Sequence, residues 1–88
     1  MEQDAIQLLK KLDDETGEIS IYTLVDSELR ERNTDLQAAF DKVVRSVYAL
    51  ASRGLVALSV RPGEDGNETY VKATPIGEAF LSVELPTQ

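Results

Sequence analysis

Cysteine, histidine and tryptophan are all missing from this chain, and the first two absences each close off a chemistry. Without cysteine there is no disulfide and no thiolate ligand, which fits an intracellular protein held together by packing alone. Without histidine as well, the commonest general bases, nucleophiles and transition-metal ligands are gone. The chain therefore reads as a non-enzyme with no cofactor and no metal site. Long apolar runs are missing too, and the start MEQDAIQLLKKLDDE is acidic and amphipathic, unlike the basic, then apolar, leader of a secreted protein. No membrane segment is expected, and the expected location is cytoplasmic. Positive charge is scarce: nine Lys and Arg stand against sixteen Asp and Glu, for a net charge of −7.

What remains is enough for one small domain spanning residues 1–88. Apolar residues make up 42% of the chain, mostly Leu, Val, Ala and Ile, which is too many for a disordered segment. The charge is unevenly placed. Only the stretch 40–56 is net positive, with Lys42, Arg45 and Arg53 against Asp41.

Apolar spacing predicts a first helix over 4–12, carrying Ala5, Ile6, Leu8, Leu9 and Leu12, with Asp4 as its cap and Thr16-Gly17 as its stop. Ile19 and Ile21 flank Ser20 in a β-prone stretch that either pairs as a minor strand or lets Ser20 cap the next helix. That second helix is expected over 21–32, with Tyr22, Val25 and Leu29 buried and Leu24 beside them. Asn33 suits a left-handed helix end, and Thr34 or Asp35 can cap a third helix. The clearest helical signal runs from Leu36 to Arg53, where Leu36, Phe40, Val43, Val44, Val47, Leu50 and Ala51 recur at three- and four-residue intervals and Gly54 closes the helix. A buried strand over 55–60, a turn over 62–67 and a returning strand over 69–73 make a β-hairpin. Thr74-Pro75 opens a last short helix with Ile76, Ala79, Phe80 and Leu81.

The order helix, short strand, helix, helix, hairpin, helix, with Arg53-Gly54-Leu55-Val56 ending the third helix, resembles the winged helix-turn-helix fold. Val47 and Leu50 stand where such proteins carry paired leucines. Tyr70 followed by Thr74-Pro75-Ile76-Gly77-Glu78-Ala79-Phe80-Leu81 resembles the ending common in MarR-like and PadR-like regulators. The likeness spans residues 5–81. It implies an α+β fold with a three-helix core, a hairpin wing and a short C-terminal helix, and a transcription regulator that binds double-stranded DNA. The third helix is long for this fold.

By that resemblance the third helix enters the major groove and the wing touches phosphate or the minor groove. The expected contacts are Lys42, Arg45, Ser46, Ala49 and Arg53 on the helix's outer side, with Arg61 and Lys72 at the wing base. Arg45 suits the O6 and N7 acceptors of guanine, and Lys42 a phosphate. Asp41, nearby, would repel phosphate unless directed at a cytosine amine. The plain alternative is that Lys42 and Arg45 form the solvated side of an amphipathic helix. The wing tip, with Glu64, Asp65 and Glu68, is a poor phosphate clamp.

Two acidic or glycine-rich clusters have plain structural readings. Asp13-Asp14-Glu15 is a solvated helix end without the spacing of a calcium loop, and Gly63-Glu64-Asp65-Gly66 is a hairpin turn without the spacing of a phosphate loop. The acidity suggests a salt-loving source, a haloarchaeal member of the resembling families, in which near-molar salt shortens the screening length to about 3 Å. The other reading of the acidity is a winged helix that binds protein and not DNA. A homodimer is expected on functional grounds, through the first helix or through Leu81, Val83 and Leu85 of the last one.

Overall fold

The computed structural model describes residues 3–14, 17–64 and 66–84. Helix α1 spans Gln3–Asp14 and buries Ala5, Ile6, Leu9 and Leu12. It begins before the expected cap, so Asp4 lies in the first turn, where its charge favours the helix dipole. Thr16, the expected stop, and Glu15, of the acidic cluster, lie outside the described residues.

Both readings of Ser20 hold at once. Strand β1, Ile19–Ser20, pairs antiparallel with a later strand, and the Ser20 hydroxyl accepts from the Tyr22 amide at 3.2 Å, capping helix α2, Ile21–Arg32. Asn33 ends α2 in the left-handed region, φ 49°, and its amide donates to the Leu29 carbonyl at 3.0 Å. Asp35, and not Thr34, caps helix α3, Leu36–Ala51: its carboxylate accepts from the Ala38 amide at 2.8 Å. The helix stops two residues short of Arg53. Gly54 then adopts φ 73°, a value that costs glycine little, and the Leu55 amide folds back to the Leu50 carbonyl at 3.0 Å.

Strands β2, Val56–Gly63, and β3, Gly66–Ala73, are longer than their apolar stretches suggest, and pair from Val56↔Ala73 out to Gly63↔Gly66. Asp65 of the connecting turn lies outside the described residues. The sheet order is β1-β3-β2, all antiparallel. Helix α4, Pro75–Glu84, opens at Thr74, whose hydroxyl accepts from the Gly77 amide at 3.0 Å and donates to the Gly54 carbonyl at 2.7 Å. One side chain thus joins the end of α3 to the start of α4. Gly77 is held against Leu55 so closely that an added methyl would overlap the Leu55 carbonyl oxygen.

This is the α+β winged helix-turn-helix arrangement expected from the sequence: three helices, a hairpin wing and a short C-terminal helix. Leu9, Leu12, Val47, Leu50 and Val71 are fully buried where the helices meet the sheet. Each such side chain is worth about 1.5–3 kcal/mol in water excluded. Several expected core residues are not core. Tyr22, Leu36 and Phe40 are exposed, because α2 and α3 turn other residues inward. Leu58 and Val60 of the strand expected to be buried are exposed too, because only the base of the hairpin, at Val56, Val71 and Ala73, is covered. In α4, Leu81 packs on the core while Val83 faces solvent, and Leu85 lies outside the described residues. Among the described residues, no helix is long and apolar enough to cross a membrane, and no three acidic, His or Cys side chains converge as a metal group would.

Candidate nucleic-acid interface

The side of α3 that meets solvent is set by the side it buries. Ala39, Val43, Ser46, Val47 and Leu50 face inward. Ala39 and Ser46 are small, and α3 buries them on the side that packs against α1 and α2. The buried stripe is rotated by roughly 75° from the line through Leu36, Phe40 and Val44, at 3.6 residues per turn. The outward face is consequently centred on Asp41, Arg45, Tyr48 and Ser52, with Gln37 at its start.

Two of the expected contacts do not lie on that face. Ser46 is only 6% exposed and belongs to the interior, a correction that comes from the rotation. Lys42 is half-buried and turned toward α1 and α2: its ammonium lies 2.8 Å from Glu28 and 3.5 Å from Asp4. That pairing leaves little positive potential for a phosphate. Arg45 and Ala49 are exposed as expected. Arg53 is exposed too, on the turn after the helix and not on α3 itself. Arg45 makes no ion pair among the described residues. On α3, Gln37 donates to Asp41 at 3.1 Å, orienting a carboxylate one turn before Arg45.

The wing divides its residues by strand alternation. Val56, Leu58 and Val60 share one face with Thr69, Val71 and Ala73, and the burial of Val56, Val71 and Ala73 shows that this face meets the helices. Arg61 and Lys72 point the opposite way. Arg61 pairs with Glu18, which also accepts from the Ser59 hydroxyl, and its guanidinium lies 4.7 Å from the centre of the Tyr70 ring. Lys72 is exposed on the same outer face, opposite Ala57. The structure therefore does not bring Arg61 and Lys72 onto one surface with Arg45.

Between α3 and the wing runs an open groove of about 330 Å³, lined by Tyr22, Phe40, Val44, Tyr48, Leu58 and Thr69 among others. Its walls are mostly apolar, with Asn67 and Thr69 at the wing side, and carry no cation. Tyr48, at the centre of the outward face and 64% exposed, was not among the expected contacts. Its position three residues after Arg45 and seven after Asp41 is the signal that places it there.

Elsewhere the charges are largely spent on the fold. Lys11 lies 2.9 Å from Glu31, and with the Ser27 hydroxyl it holds the Glu31 carboxyl below its ordinary range. Arg30 pairs with Asp26, and Arg32 sits near Glu28 and Asp4. On the wing, the Tyr70 hydroxyl donates to Glu68 at 2.8 Å, which raises its pKa. Among the described residues the cations outside ion pairs are Lys10, Arg45, Arg53 and Lys72, and three of those four lie on α3, the turn after it, or the wing.

Among solved structures, the chain is similar to that of the "putative transcriptional regulator TA0346 from Thermoplasma acidophilum", with a TM-score of 0.69 and 20% identity. The match covers 93% of this chain and 76% of that one. The two chains share a fold. No protein-family model matches this sequence, and no curated protein does.

Proposed function

We propose that this chain acts as one winged-helix domain that binds double-stranded DNA and regulates transcription, with α3 in the major groove. The observation that carries the reading is Arg45, exposed at the middle of the outward face of α3 and unpaired among the described residues, while Lys11, Arg30, Arg32, Lys42 and Arg61 are all held by carboxylates of the same chain. A guanidinium so placed can meet the O6 and N7 acceptors of a guanine in two parallel hydrogen bonds, worth about 1–3 kcal/mol of discrimination. Asp41, one turn earlier, can accept from a cytosine amine. Ala49 permits close approach, and Arg53 stands at the end of the helix where a phosphate passes. Lys42, Arg61 and Lys72 have lesser parts: the first two are paired, and the third faces away from the α3 groove.

The likeness to a transcriptional regulator's fold supports this reading, as do the residues that resemble MarR-like and PadR-like proteins. The acidity fits it in a salt-rich, haloarchaeal setting, where screening removes both the repulsion of the carboxylates and most of the gain from counterion release. Affinity then rests on base contacts and shape. A second reading, a protein-binding winged helix, is favoured by the apolar groove beside Tyr48. A titration of labelled duplexes across salt concentrations separates the two. Saturable binding that persists at high salt supports the regulator; no binding at any salt, with the domain folded, removes it.

A further inference from the structure

Tyr22, Leu36, Phe40, Tyr48, Leu58 and Val60 are all exposed, and all lie on α2, α3 and the wing, whereas α4 exposes only Ile76 and Val83 among the large apolar side chains. An apolar patch concentrated on one side of a small domain marks a surface that meets something. On α3 itself, Tyr48 sits at the centre of the outward face, with the half-buried Val44 and the 41%-exposed Phe40 beside it toward the wing. Phosphate does not suit this strip: it is apolar, and Asp41 stands one turn away.

In the major groove the apolar feature that distinguishes one base edge from another is the 5-methyl group of thymine. We propose that α3 selects thymine through that methyl, with Tyr48 as the principal contact and Val44 and Phe40 flanking it. This rests on the DNA-binding reading above and names what the site reads besides guanine. An apolar contact is not lost to screening, so it suits a chain of net charge −7 that gains little from phosphate attraction. Tyr48 lies about 4.5 Å along the helix from Arg45. The thymine therefore falls within about two base pairs of the guanine, given a rise of about 3.4 Å per pair.

The experiment uses the full chain and duplexes recovered by selection at high salt, with each thymine replaced in turn by deoxyuridine, which lacks only the methyl. Affinity is expected to fall about fourfold at the contacted thymines, the value of burying one methyl-sized group. Tyr48→Ser is expected to erase the difference between thymine and uracil without lowering the melting temperature, since Tyr48 is not part of the core. Duplex binding with equal affinity for thymine and uracil at every position overturns the inference and leaves the regulator reading standing. Failure to bind any duplex at any salt overturns both.

Discussion

The Lys42 ammonium lies 2.8 Å from the Glu28 carboxylate, on the side of α3 that faces the other helices. Glu28 is largely covered, so removing its nearer partner leaves a partly buried carboxylate with only Arg32, 3.7 Å away, to offset its charge. Lys42→Gln is expected to lower stability by about 1–2 kcal/mol at low salt, and by less as salt screens the pair. Urea denaturation at two salt concentrations measures it. An unchanged midpoint at both would show that the pair does not hold the helices together.

Gly77→Ala is expected to be among the most damaging single changes. Its methyl would strike the Leu55 carbonyl oxygen and lie 3.2 Å from a Leu9 methyl, both fixed parts of the core. A loss of about 2–4 kcal/mol is the scale of overpacking that severe. Thermal melting tests it, and a variant that melts with the parent protein would mean that α4 can shift away freely.

Much of this architecture is legible in the sequence because the signals are local. The left-handed Asn33 and Gly54, the Asp35 cap and Thr74-Pro75 each act within a few residues, and each occurs where those residues predict it. The orientation of α3 is not legible to the same degree. Ala39 and Ser46 mark its packed side, but small residues add little to an apolar pattern, whereas Leu36 and Phe40 add much and lie outside. Nor does local spacing show that Lys42 is spent on Glu28, fourteen residues earlier, or that Arg61 is spent on Glu18. Long-range pairing decides which cations are free.

Acid is expected to weaken the bond between α1 and α2. The hydrogen bond and charge of Lys11, and then the Ser27 hydroxyl, hold the folded Glu31 carboxyl below its ordinary value of 4.5. Its contribution is therefore complete above that ordinary value and is lost as pH falls through the lowered one. Urea midpoints followed from neutral to acid pH should fall more steeply for the parent than for Glu31→Gln. Parallel curves would deny Glu31 that part.

The opposite sign applies on the wing. Tyr70 donates its proton to Glu68, which raises the phenol above its ordinary 10.0, so that bond is intact below the unfolded value and is lost as pH rises through the raised one. Glu68→Gln is expected to move the phenolate absorbance of Tyr70 to lower pH, with Tyr70→Phe identifying the signal. No movement would mean that the hydroxyl bonds elsewhere in solution.

The role of α3 is tested most directly by measuring, on one selected duplex, the affinities of the parent protein, Arg45→Glu and Lys42→Gln. Arg45→Glu is expected to bind at least about fivefold more weakly, the lower bound for losing a two-point guanine contact, while melting as the parent does. Lys42→Gln, wherever it remains folded, is expected to bind within about twofold of the parent, since its charge is already neutralised by Glu28. Full affinity in a folded Arg45→Glu protein would contradict the assignment of the outward face of α3 as the surface that reads DNA.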